Sequence, residues 1–163
     1  MRKYLEQEIL SPCLHGRIRY GCTEYAGMDG CHIFEVFVDG KPVKRFSLET
    51  VNTYFIENGY KPESACTGVS GYWDGFQRLL SGSPPEKRTE YTDGEFCEAL
   101  KMYRRQPISE SLFSDNPIVR MFAVLDRRVG KRTLEKLQDS IGEQPEWLRL
   151  FYFLRIDAET DLS

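Results

Sequence analysis

At 163 residues, 40% of them hydrophobic and with ten Phe, nine Tyr and two Trp, the chain can pack one core and bury roughly two thirds of its unfolded surface, which excludes intrinsic disorder. The opening Met1-Arg2-Lys3-Tyr4-Leu5-Glu6-Gln7-Glu8 interrupts any apolar run with charge, and the longest apolar stretches are only Met121 to Leu125 and Leu150 to Leu154, so no signal peptide, anchor or membrane span is expected and the cytoplasm is the expected compartment. The net charge of −3 hides an uneven spread: residues 101–136 hold nine Lys or Arg against four acids, and the rest hold thirteen against twenty-one.

In chain order, Arg17-Ile18-Arg19-Tyr20-Gly21-Cys22 alternates polar with apolar, the period of a half-buried strand. The run from Cys31 to Val38 stops at Asp39-Gly40 and resumes as Lys41-Pro42-Val43-Lys44-Arg45-Phe46, the pattern of a two-residue hairpin. The spacing predicts three antiparallel strands at about 16–25, 31–38 and 41–46, with Val36 opposite Val43, Glu35 opposite Lys44 and Ile33 opposite Phe46. Pro42 cannot donate to a ladder, which puts its strand at an edge.

Ser47 caps a predicted helix whose Leu48, Val51 and Phe55 would lie on the sheet, until Gly59 ends it. Residues 60–71 read as a loop, a short helix carries Tyr72, Phe76, Leu79 and Leu80, and residues 81–88 read as a second loop. Asp93 opens a helix with Phe96, Leu100 and Tyr103 on one face.

Asn116 and Pro117 start the next helix, predicted to reach Gly130 and to be buried on several sides, with Arg120 and Arg127 on one outward ridge. The apolar stripe resumes out of phase as Leu134, Leu137 and Ile141, so a new helix follows the glycine. The last helix is apolar nearly all round from Trp147 to Ile156. That suits either the centre of the core or a homodimer contact through residues 146–156. The order of elements gives an α+β chain, 1–163 as one domain, with a sheet portion over 1–46 and a helical portion over 47–163.

Chemistry is harder to find. Five widely spaced cysteines (Cys13, Cys22, Cys31, Cys66, Cys97) without a C-x-x-C fit reduced thiols, and Cys13-x-His15 with Cys31-His32 lacks metal-ligand spacing, so neither a metal nor a cofactor is expected. Gly68-Val69-Ser70-Gly71-Tyr72 has Tyr72 where a nucleophile elbow needs glycine, and neither Ser70 nor Cys66 has a base nearby in sequence. Phosphate-loop and dinucleotide fingerprints are absent, and the loop from Tyr60 to Trp73 has a ligand-binding composition without a motif.

One segment stands apart. Asp126-Arg127-Arg128-Val129-Gly130-Lys131-Arg132, with Arg120 one ridge away and Lys136 beyond, gathers cations around a helix junction. Two expectations compete there: a nucleic-acid or anion site on Arg120, Arg127, Arg128, Lys131 and Arg132, or cations serving helix ends while Asp126 forms a structural ion pair. A helix-turn-helix is disfavoured because Lys136 occupies a position that such a motif fills with an apolar residue.

The stretch Asn116 to Leu134, centred on Leu125-Asp126-Arg127-Arg128-Val129-Gly130-Lys131-Arg132-Thr133-Leu134 and followed by Pro145-Glu146-Trp147-Leu148, resembles a family of small uncharacterised bacterial proteins. The resemblance implies a bacterial source and no particular activity. On these grounds the expected function is that of a non-catalytic interaction or regulatory protein. Nucleic-acid binding at 120–136 and an enzyme of unrecognised type are the alternatives, and the partner is unknown.

Overall fold

The computed structural model describes residues 1–24, 31–60 and 68–161. Three strands, β1 (Ile18–Glu24), β2 (His32–Val38) and β3 (Lys41–Phe46), form an antiparallel sheet in the order β1-β2-β3, followed by a mainly helical remainder. The hairpin turns at Asp39-Gly40, where both residues take positive φ (48° and 80°), the geometry that matches the twist of the flanking strands. Pro42 sits on an edge strand.

The predicted register fails beyond the turn. Val38 pairs with Lys41 and Phe37 with Pro42, but a bulge then leaves Val43 unmatched, so Val36 faces Lys44, Glu35 faces Arg45 and Phe34 faces Phe46. An extra residue in one strand reverses the alternation after it. Lys44 thereby turns inward beside Phe46, where its ammonium donates to the carbonyl of Thr89 and to Glu90 Oε2 (3.1 Å) and lies over the rings of Trp147 (5.0 Å) and Tyr91 (5.2 Å). Burial pulls its pKa down against the opposing pull of Glu90.

The helices are α1 (Leu48–Glu57), α2 (Gly68–Gly82), α3 (Asp93–Arg105), α4 (Ile108–Ser111), α5 (Pro117–Leu125), α6 (Lys131–Leu137) and α7 (Glu146–Asp161). A π-helical stretch, Tyr4–Ile9, and a 3₁₀ turn, Pro12–Leu14, precede the sheet. Glu6 covers the free edge of β1 by accepting the N–H of Tyr20 at 2.7 Å.

The helix on the sheet is α3, not α1. Thr92 and Glu95 form a reciprocal capping box at its start, and Phe96 stacks on Phe34 (4.6 Å) and packs against Phe46 (4.9 Å) and against Phe122 of α5 (5.3 Å). Val51 and Phe55 of α1 instead join Phe76 of α2 in a separate small cluster. Helix α2 begins at Gly68, so residues 68–71, expected in a loop, are helical; the rest of that expected loop, 61–67, lies outside the described residues.

In the main core α5 packs between α3 and α7, and every one of its residues is buried except Arg120. Helix α7 buries Leu148, Phe151, Tyr152, Leu154, Arg155 and Ala158, and its opposite side is open. Among the described residues no helix is long and apolar enough to cross a membrane.

Candidate functional site at the junction of α5 and α6

Helix α5 ends at Leu125, five residues before the glycine expected to stop it. The reason is tertiary. Ser11 donates its N–H to the carbonyl of Leu125 (2.9 Å) and Arg127 donates its N–H to the carbonyl of Ile9 (2.8 Å), an antiparallel bridge that takes the backbone out of the helix at Asp126. The Asp126 side chain, with no exposed surface, fixes the turn by accepting the N–H of Arg128 at 2.7 Å.

The same carboxylate binds the Arg128 guanidinium, with Nη2 at 2.6 Å and Nε at 3.0 Å from Oδ2, and accepts the hydroxyl of Tyr103 from α3. Arg128 Nη2 also donates to that hydroxyl at 3.2 Å. These bonds push the Arg128 pKa up, and burial beside Asp126 pushes the Tyr103 hydroxyl up as well.

A second cation closes the turn from below. Arg155 of α7 is 1% exposed; Nη2 donates to the carbonyl of Val129 (2.8 Å), and Nη1 donates to Glu159 and to Cys13 Sγ (3.0 Å). The hydrogen bond from Arg155 holds the Glu159 carboxyl below its usual range. Arg155 Nε is buried without a partner.

The five basic residues expected to act together separate. Arg120, on the α5 stem about 9 Å along the axis from Asp126, donates to the carbonyls of Ser114 and Asp115 (3.1 Å) and to Gln144 Oε1 (2.9 Å). Arg128 belongs to the Asp126 network. Arg127, Lys131 and Arg132 are exposed, Lys131 within electrostatic reach of Glu159. Arg104, next to Tyr103 in sequence, is exposed and lies 4.8 Å over the ring of Tyr4.

Other candidates stay apart. The ring of His15 bonds the carbonyl of Leu10 (3.2 Å), and His32 stacks on Phe34 (5.9 Å). Cys66 lies outside the described residues, and Cys13, Cys22, Cys31 and Cys97 are free thiols. Among the described residues no group of His, Cys, Asp or Glu is placed to hold a metal ion. A cleft of about 300 Å³ opens beside the sheet, lined in part by His32, Leu48, Asn52 and Trp73.

Sequence reasoning missed three buried cations: Lys44, Arg88 and Arg155. Arg88 forks onto Glu95 and donates to the carbonyls of Ser83 (2.7 Å) and Glu90 (2.9 Å), stitching the segment before α3 to its capping box. Arg155 did carry a signal, an arginine inside an otherwise apolar run.

Fold and junction together define a small α+β protein whose charged turn is locked to its N-terminal segment and its last helix. A family model matches residues 1–156, and the chain belongs to the SF0329 protein family. In comparisons with curated proteins and with solved structures nothing matches.

Proposed function

We propose that this chain is a non-catalytic interaction or regulatory protein of the bacterial cytoplasm, working through its surface. The observation that carries the reading is the outer side of α7, where Phe153 is 54% and Leu150 42% exposed, opposite a fully packed inner side. Large apolar groups held out on a well-packed helix suit a docking surface, and free thiols suit a reducing compartment. The test is a photo-crosslinking residue at position 150 or 153 in expressing cells, with exposed Glu135 of α6 as the control position. Discrete adducts from the α7 positions and none from position 135 support the reading; no adduct from either α7 position overturns it.

A second reading, nucleic-acid or polyanion binding, is favoured by the exposure of Arg127 and Arg132. Salt-dependent retention on a polyanion column that falls on Arg127→Ala, Arg132→Ala is the expected result for it. Retention of the unaltered protein no greater than that of an acidic control removes it.

A further inference from the structure

We propose that the occupant of the outer α7 face is the same face of a second copy, paired antiparallel about a two-fold axis at Phe153; this rests on the interaction reading above. At 3.6 residues per turn, Glu146, Arg149, Leu150, Phe153, Ile156, Asp157 and Thr160 share one side of α7, and each is exposed or half-buried.

The order of charge on that side selects the partner. A cation, Arg149, lies one turn before Phe153 and an anion, Asp157, one turn after it. In an antiparallel pair centred on Phe153, Arg149 of each copy meets Asp157 of the other, Leu150 meets Ile156, and Glu146 meets the uncharged Thr160. A parallel pair would set each charge against itself. Antiparallel packing also opposes the two helix dipoles.

The charges are available for this. Arg149 is steadied by donating from Nε to the carbonyl of Gln144 and from Nη2 to that of Gly142, both at 2.8 Å, and neutral carbonyls leave its charge in place. Asp157 is exposed; the cation that acts on it from the neighbouring segment is Arg17, itself held by Asp39 at 2.9 Å. Two sixteen-residue helices about 24 Å long bury on the order of 1,000 Å² in total, the low end for a specific interface, so the pairing is concentration-dependent.

Sedimentation velocity on the purified chain across the micromolar range, with circular dichroism to confirm folding, tests the inference. The unaltered protein goes from monomer to dimer with concentration, and Phe153→Asp stays monomeric. Arg149→Asp and Asp157→Arg each weaken association about tenfold or more, whereas their equimolar mixture associates like the original, because a mixed pair restores both ion pairs. Asp157→Arg, at an exposed position, carries the test even where Arg149→Asp disturbs the turn before α7. The proposal is overturned by an unaltered protein that stays monomeric throughout, by Phe153→Asp dimerising as before, or by a mixture no better than its components. A monomeric protein that still crosslinks in cells from position 153 to another protein sinks the self-pairing alone; loss of every α7 adduct sinks the broader reading.

Discussion

The junction after α5 and the outer face of α7 invert the usual placement of residues in opposite senses. At the junction a carboxylate with no exposed surface and a guanidinium that is 1% exposed are drawn inside, where Asp126 and Arg155 take up backbone groups that no helix satisfies. On α7 two large apolar groups, Leu150 and Phe153, are left outside. The difference separates two kinds of conspicuous sequence. A conspicuous charge cluster has been divided, with Arg120 and Arg128 tied into the fold and Arg127, Lys131 and Arg132 left exposed, and an inconspicuous apolar run has left a surface.

The largest expected effect breaks the first half of that contrast. Asp126→Ala strands the Arg128 N–H and the Tyr103 hydroxyl and frees the turn that ends α5. Since Arg128 keeps about half its side chain in water, the loss is put at about 3 kcal/mol, below that of a fully buried pair. For a chain of this length that lowers Tm by about 6–12 °C in a thermal melt. A shift under about 2 °C would mean that the network is ornamental.

Next is Arg155, whose removal deprives Val129 of its donor and leaves a void beside Cys13. Arg155→Ala should cost about 2–4 kcal/mol by denaturant titration. Arg155→Lys should recover little, because one ammonium cannot reach both the Val129 carbonyl and Glu159 as the planar fork does. Full recovery by lysine would show that charge alone, not geometry, is what the site needs.

How much of this was legible follows from which interactions are local. The three strands, the Asp39-Gly40 turn, the Ser47 and Asn116 caps and the new helix after Gly130 are written in short-range chemistry, and the structure has them. The hairpin register was lost to a bulge at Val43, since nothing in Lys41 to Phe46 announces that Lys44 finds an aromatic and carbonyl cradle some 45 residues on. The early end of α5 was equally hidden. Periodicity continues to Val129, and only the distant Ile9 and Ser11 backbone explains why the helix stops. At the site, the importance of the Asp126 segment could be read, but the division of its cations could not, because the turn that aims Arg128 at Asp126 is imposed by the distant Ile9 and Ser11 backbone, and Arg120 finds Gln144 24 residues on.

A smaller effect concerns pH. Burial raises the hydroxyl pKa of Tyr20, Tyr91 and Tyr103 above the ordinary value, so the folded chain holds protons that the unfolded chain releases at high pH. Their contribution is complete below about pH 10 and is lost as pH rises beyond it, which is the sign for an acid whose pKa goes up on folding. Stability should fall above about pH 10, together with a late, cooperative tyrosinate absorbance change. Tyr20→Phe should soften the alkaline loss. Lys44 opposes the trend, because its lowered pKa makes stability rise with pH in the window below its ordinary value, and Lys44→Met should steepen the decline.

The smallest effects sharpen the contrast most, because they come from adjacent residues of the same type. Arg127 and Arg128 follow one another, but only the second turns its guanidinium onto the Asp126 carboxylate; the first uses its backbone N–H on Ile9 and leaves its side chain exposed. Alanine at 128 removes three guanidinium contacts to Asp126 and one to Tyr103, and should lower Tm by a few degrees after allowance for solvent screening. Alanine at 127 keeps the bridge and should leave Tm within about 2 °C, as should alanine at 132. The removed positive charges should show only in earlier elution from a cation exchanger. Equal losses at 127 and 128 would contradict the division of the basic segment into scaffold and surface, since the two substitutions differ in nothing else that the backbone can register.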